Sequence, residues 1–213
     1  MEIRNILMMV LLSLMSGTTI KAQFNTVGRL HNHQIHKTKN PQEINTSSLA
    51  DNLILKDSLK HDSMKEQIAR YMSVSYPLSK IKINSPYGYR KNPFSGKRKF
   101  HNGLDLHARN AKVLAMMAGE VVKVGHDRVS GKYVILKHGD FIVSYCHLSR
   151  ILAYQGQSVK AGEIVGITGS TGRSTGEHLH ITCKFNGNSI DPMLILKHIE
   201  ATRQSCVTAL TVL

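Results

Sequence analysis

The chain has 213 residues, 41% of them hydrophobic, and carries a formal net charge of +14 with a pI near 9.8. That length predicts one compact domain with a tail or small appendage, and the apolar share is sufficient for a core. The absence of Trp and an aromatic content of 6% exclude a large aromatic stacking platform, while the charge points to an anionic partner.

Residues 1–22 read as a secretory signal peptide. Arg4 lies near the start, Ile6 to Leu12 form an apolar run, and small and polar residues lead up to Ala22. About ten apolar residues are too few for a stable membrane span, so a cleaved peptide is expected rather than an uncleaved anchor. Cleavage after Ala22 removes Glu2, Arg4 and Lys21 and leaves the chain strongly basic. A basic exported protein, in the periplasm, the cell envelope or outside the cell, meets anionic glycan polymers and lipid headgroups rather than nucleic acid.

Residues 23–47 are polar and unpatterned and read as a flexible linker, with His31, His33 and His36 as exposed linker histidines. Residues 48–76 turn helical. Asp62 is placed to cap a helix bearing Met64, Ile68, Tyr71 and Met72 on one face, a stripe expected to pack on the domain or pair with a partner helix. Pro77 is expected to end it.

From Pro77 onward, short alternating runs are separated by glycines. Examples are Glu120 to Val124, Tyr133 to Leu136 and Phe141 to Tyr145, with turn signals at Ser130-Gly131, His138-Gly139-Asp140, Tyr154-Gln155-Gly156 and Asn186-Gly187-Asn188. This texture predicts a mainly β, antiparallel sheet or sandwich domain over residues 77–193, preceded by the short helical segment. Residues 194–213 are expected to form a short helix, Leu194 to Glu200, and a C-terminal tail. Three cysteines, Cys146, Cys183 and Cys206, do not make a disulfide framework. Strand alternation sets Cys146 and Cys183 on the face opposite a neighbouring histidine, as small buried side chains; a bridge between these two is left open.

Three separated clusters carry chemistry: His101-Asn102-Gly103-Leu104-Asp105, Tyr145-Cys146-His147-Leu148 and His178-Leu179-His180. His178 and His180, two apart in a strand, share one face. Imidazoles with a carboxylate are the ligand types zinc takes, and a catalytic site needs about three protein ligands with one open position. His101, Asp105 and His180 meet that count, with Gly103 letting the backbone turn between the first two. The H-E-x-x-H helix of many zinc peptidases is absent, which leaves His147 and His178 as the candidates for proton handling. Glu177 is adjacent but faces away from both.

These motifs resemble the lysostaphin/LytM family of zinc metallopeptidases, which cut peptide cross-links in bacterial peptidoglycan. The resemblance runs from Tyr87 to Pro192 and includes Tyr87-Gly88-Tyr89-Arg90, His147-Leu148-Ser149, the Gly-rich run Gly166 to Gly176 and Asp191-Pro192. It implies a β fold, zinc (Zn2+) held by His101, Asp105 and His180, and a non-ligand catalytic pair in His147 and His178. The basic loop Lys91 to Lys99 corresponds to one wall of the family's substrate groove, with a role in holding glycan strands. Ile181-Thr182 stands where the family often has Phe-Glu.

His107, His126, His138 and His198 read as surface or turn histidines. The run Gly166 to Gly176 lacks the G-K-[ST] ending of a phosphate loop and reads as a groove wall that lets a peptide approach the metal. The expected function is a secreted zinc endopeptidase acting on stem or cross-bridge peptides of peptidoglycan, with anionic wall polymers as further partners. The alternative is a non-enzymatic wall-binding protein, or an activator of another hydrolase, on the same fold. Retention of all five site residues favours the enzyme. A nucleic-acid-binding reading is disfavoured by the signal peptide.

Overall fold

The alternation beyond Pro77 becomes thirteen strands among the described residues, every ladder antiparallel. The computed structural model describes residues 46–212, so the signal peptide predicted over residues 1–22 and nearly all of the predicted linker lie outside the described residues. The described residues fall into two units with a boundary between Lys60 and His61.

Residues 46–60 belong to helix α1 (Thr46–Met72). Asp62 lies inside this helix rather than capping it, and the helix stops at Met72, before Pro77 is reached. Its last turn is closed by Ser73, whose N–H and hydroxyl both donate to the Arg70 carbonyl. Of the expected apolar stripe, Met64, Ile68 and Met72 remain exposed. Tyr71 is instead the anchor of this end. Its hydroxyl accepts from Arg203 at 2.6 Å, and the same guanidinium lies 4.4 Å from its ring centroid.

The strands run in chain order as β1 (Ile83–Ser85), β2 (Gly88–Lys91), β3 (Arg98–His101), β4 (Leu104–His107) and β5 (Lys112–Leu114). Then follow β6 (Gly119–Asp127), β7 (Gly131–His138), β8 (Phe141–Leu148) and β9 (Arg150–Ile151). The series closes with β10 (Ser158–Val159), β11 (Ile164–Ile167), β12 (His178–Phe185) and β13 (Asn188–Ile190). The main sheet has the order β1-β4-β12-β8-β7-β6-β10, with β13 beside β12; β5-β11-β9 form a second sheet and β2-β3 a hairpin.

Register explains the two faces of the main sheet. Ile181 pairs with both Leu104 and Tyr145, Leu179 with Leu106, and Val134 with Tyr145, so these side chains share one face. All six are fully buried and form its core side. The Tyr145 hydroxyl accepts from the Met116 backbone N–H, just past β5, at 3.1 Å. The opposite face of β4 and β12 carries Asp105, His178 and His180.

The helix expected over Leu194 to Glu200 is longer. Helix α2 (Met193–Val212) continues through the predicted tail, burying Ile195, Leu196, Ile199, Thr202 and Cys206. Those positions recur at helical spacing, so the second half of α2 has a core-facing stripe of its own. No described helix is long and apolar enough to cross a membrane.

Candidate metal centre and groove

Asp105 and His180 are directly paired across the β4–β12 ladder, and His101 arrives from the end of β3. His101 Nδ1 lies 2.8 Å from the Pro86 carbonyl, to which it donates, leaving Nε2 as a lone pair turned inward. His101 Nε2 is 3.3 Å from Asp105 Oδ1 and 3.2 Å from His180 Nδ1, and His180 Nδ1 is 2.7 Å from Asp105 Oδ1. Ligands on a tetrahedral zinc with bonds near 2.0–2.1 Å stand about 3.3 Å apart, so this donor set and spacing fit the metal. Burial raises the Asp105 pKa, but its close contacts with His101 and His180 outweigh that and hold the carboxyl well below the usual carboxylate range.

Gly103 serves a different purpose from the turn expected of it. Its φ is not positive; instead the His180 ring packs directly on it. A Cβ at this position would lie 2.5 Å from His180 Cε1 and 2.6 Å from the Ile181 carbonyl oxygen. The glycine is thus a slot for a ligand ring.

His147 reaches the site by breaking the strand rule. Lys132 pairs with Leu148 and Val134 with Tyr145, so Cys146 and His147 together oppose Tyr133 in a β-bulge. His147 has φ 61°, one of three described non-glycine residues with positive φ. Its ring centroid lies 4.8 Å from that of His178 and 5.6 Å from that of His180. Cys146 pairs with His180 and so lies on the site face, lining the groove beside His147, rather than on the face opposite that histidine as expected. Its thiol pKa is pushed up to about 12, first by burial. Cys183 faces the core, and all three cysteines are free, so Cys146 and Cys183 do not bridge.

The other two imidazoles of the groove are oriented by loop carbonyls. His147 Nδ1 donates to Thr171 O and His178 Nδ1 to Gly176 O, each at 2.8 Å, so both present Nε2 for proton exchange. His178 Nε2 lies 3.6 Å from Asp105 Oδ1. Burial lowers the His147 pKa despite the Thr171 hydrogen bond, keeping the ring neutral. Glu177 accepts from Thr168 Oγ1 at 3.2 Å and from the Asn110 N–H. His107 pairs with His178 across the ladder but is exposed.

The five residues line one groove of about 580 Å³. The β2–β3 hairpin forms one wall: Asn92 Oδ1 accepts from Phe94 N and Ser95 N to shape its tip, and Phe94, Lys99 and Phe100 line the groove. Arg173, Ser174 and Thr175 line it from the loop before β12. Glycines in that loop permit close backbone contact with the sheet rather than open space. A Cβ on Gly172 would lie 2.2 Å from Gly131 N, and one on Gly169 2.5 Å from Ser149 N. Arg90 is a site residue that spacing did not single out: its Nη2 pairs with Asp105 Oδ2 at 3.4 Å. Nothing in residue spacing links these two positions; only the hairpin brings them together.

Residues 99–192 match the model of peptidase family M23. They contain all five residues gathered in the groove. The lysostaphin catalytic domain of Staphylococcus simulans is 33% identical, covers 55% of this chain and 92% of that one, and superposes with a TM-score of 0.51. The chain belongs to peptidase family M23. Among curated M23-like relatives, DD-carboxypeptidase/endopeptidase Mpg of Neisseria meningitidis is 36% identical over 121 residues, 56% of this chain and 28% of that protein. Peptidoglycan DD-endopeptidase ShyA of Vibrio cholerae is 34% identical over 136 residues, 62% of this chain and 30% of that protein. The match therefore spans less than a third of these relatives, and what it brings to this chain is the M23 domain itself.

Proposed function

We propose that this protein is an exported zinc-dependent endopeptidase that hydrolyses peptide bonds in the stem or cross-bridge peptides of bacterial peptidoglycan. The observation that carries the reading is the convergence of His101, Asp105 and His180 within ligand distance beside two imidazoles with free Nε2 atoms. Relatives described as peptidoglycan DD-endopeptidases support the substrate, and the basic charge supports docking on anionic wall polymers. The metal, when bound, supplies Lewis-acid polarisation of the scissile carbonyl and acidifies water toward a pKa of about 7.

The remaining work belongs to the chain. His147, held neutral by burial, is suited to take a proton at Nε2, and His178 presents the same atom beside it for proton exchange. Arg90 occupies Asp105 Oδ2, which leaves Oδ1 as the ligand atom. The test separates ligands from proton carriers. His180→Ala and Asp105→Ala should lose both zinc, measured by emission spectrometry, and turnover of purified sacculi. His147→Ala and His178→Ala should keep about one zinc per chain while turnover falls roughly 10²–10⁴-fold. Full activity in either of the latter would sink the mechanism.

A further inference from the structure

Three cationic side chains line the groove, Arg90, Lys99 and Arg173, and the single carboxylate among the lining residues is Asp105 of the metal centre. Arg90 is already paired with that carboxylate. Among the described residues, no Asp or Glu lies within ion-pair distance of Lys99 or Arg173. The groove therefore holds two uncompensated positive charges before any metal adds its own.

Arg173 is also held in place. Its backbone N–H donates to Val129 O at 3.0 Å, and its guanidinium carbon lies 4.7 Å from the centroid of Phe94 on the hairpin wall. Stacking on a ring face fixes the guanidinium plane and leaves the N–H edge for a planar, bidentate acceptor. Phe94 is half exposed, so the pair borders the space a substrate enters. A neutral peptide gains nothing from this arrangement, whereas a carboxylate matches both its charge and its shape.

We propose that Arg173, stacked on Phe94 and assisted by Lys99, is a specificity residue that reads a free carboxylate on an acidic peptide bound in the groove. The proposal deepens the peptidase reading and rests on it. The test compares one cross-linked stem peptide in two forms, with the carboxylates flanking the scissile bond free or amidated. The wild-type full chain should prefer the free acid by roughly tenfold in kcat/KM, the scale of a charge-assisted contact at a solvent-open site. Arg173→Gln should bring that ratio toward unity, and Arg173→Lys, which keeps charge but loses the fork, should leave it in between. A wild-type enzyme indifferent to amidation, or an undiminished ratio in both variants, overturns the proposal. Cleavage of neither peptide would instead fail the peptidase reading, and calorimetric titration of the same two peptides then decides. Tighter binding of the acid form that Arg173→Gln abolishes supports the carboxylate reading, and equal binding overturns it.

Discussion

His147 offers a test in which backbone strain and chemistry pull apart. Its φ of 61° places a non-glycine side chain in the left-handed region, at a cost of about 1–2 kcal/mol. His147→Ala and His147→Gly both delete the imidazole and its hydrogen bond to Thr171 O, so those losses cancel when the two variants are compared. What remains is the backbone. Alanine keeps the Cβ that the positive φ disfavours; glycine removes it but adds about 0.5–1 kcal/mol of unfolded-chain entropy. Glycine should therefore be the more stable variant by about 0.5–1 kcal/mol, the reverse of the order in an ordinary strand. Urea unfolding with equal m-values reads this directly, and the corresponding Tm difference is about 1–4 °C. Both variants should be equally poor in turnover. An alanine variant as stable as glycine, or more so, would refute the claim that the bulge holds His147 under strain.

Gly103→Ala should drive the His180 ring from its place, because the new Cβ would sit 2.5 Å from Cε1; zinc content and turnover should fall together in a protein that keeps its β circular dichroism. Burial lowers the His138 pKa and leaves its Nε2 without a partner, so the folded state takes up this proton at lower pH than the unfolded chain, which protonates near pH 6.5. The unfolded state then binds more protons, and stability should fall as pH drops below about 6.5, by at most about 1.4 kcal/mol per pH unit; His138→Gln should flatten that slope in urea titrations between pH 5 and 7. Thr171 Oγ1 donates to Leu148 O and accepts from Lys132 N. Thr171→Val should loosen the carbonyl that orients His147, lowering turnover about tenfold or more while zinc stays bound.

What was legible in the sequence follows from where the period of two holds. His178 and His180 share a face in regular β12, and Asp105 meets His180 in an unbroken ladder, so pattern and ligand chemistry sufficed to bring them together. Helix α1 is marked by the texture of its residues, yet Asp62 misled about its start because a capping side chain is equally at home on an exposed helical surface. The length of α2 was hidden for a similar reason. Its core-facing residues beyond Glu200 are Thr202 and Cys206, which do not stand out as an apolar stripe. Arg90 and Asp105 are fifteen residues apart, joined only by a hairpin whose register the sequence does not specify.

The bulge in β8 shows why the His147 side of the site resists sequence reasoning more than the side of Asp105 and His180. Alternation alone sends His147 to the core and Cys146 to the groove; the extra residue and the positive φ bring both to the groove. No glycine or asparagine marks the place; the positive φ falls on an imidazole residue, and the fold accepts the strain. Supporting it falls to the loop before β12, which seats on the sheet through Gly169 and Gly172 and offers the Thr171 carbonyl to His147. Asp105 and His180 thus rest on the ladder, whereas the ring orientations of His147 and His178 rest on loop carbonyls. A loop can shift by fractions of an ångström without disturbing a paired ladder, so substitutions in residues 169–176 should change proton transfer before they change metal binding.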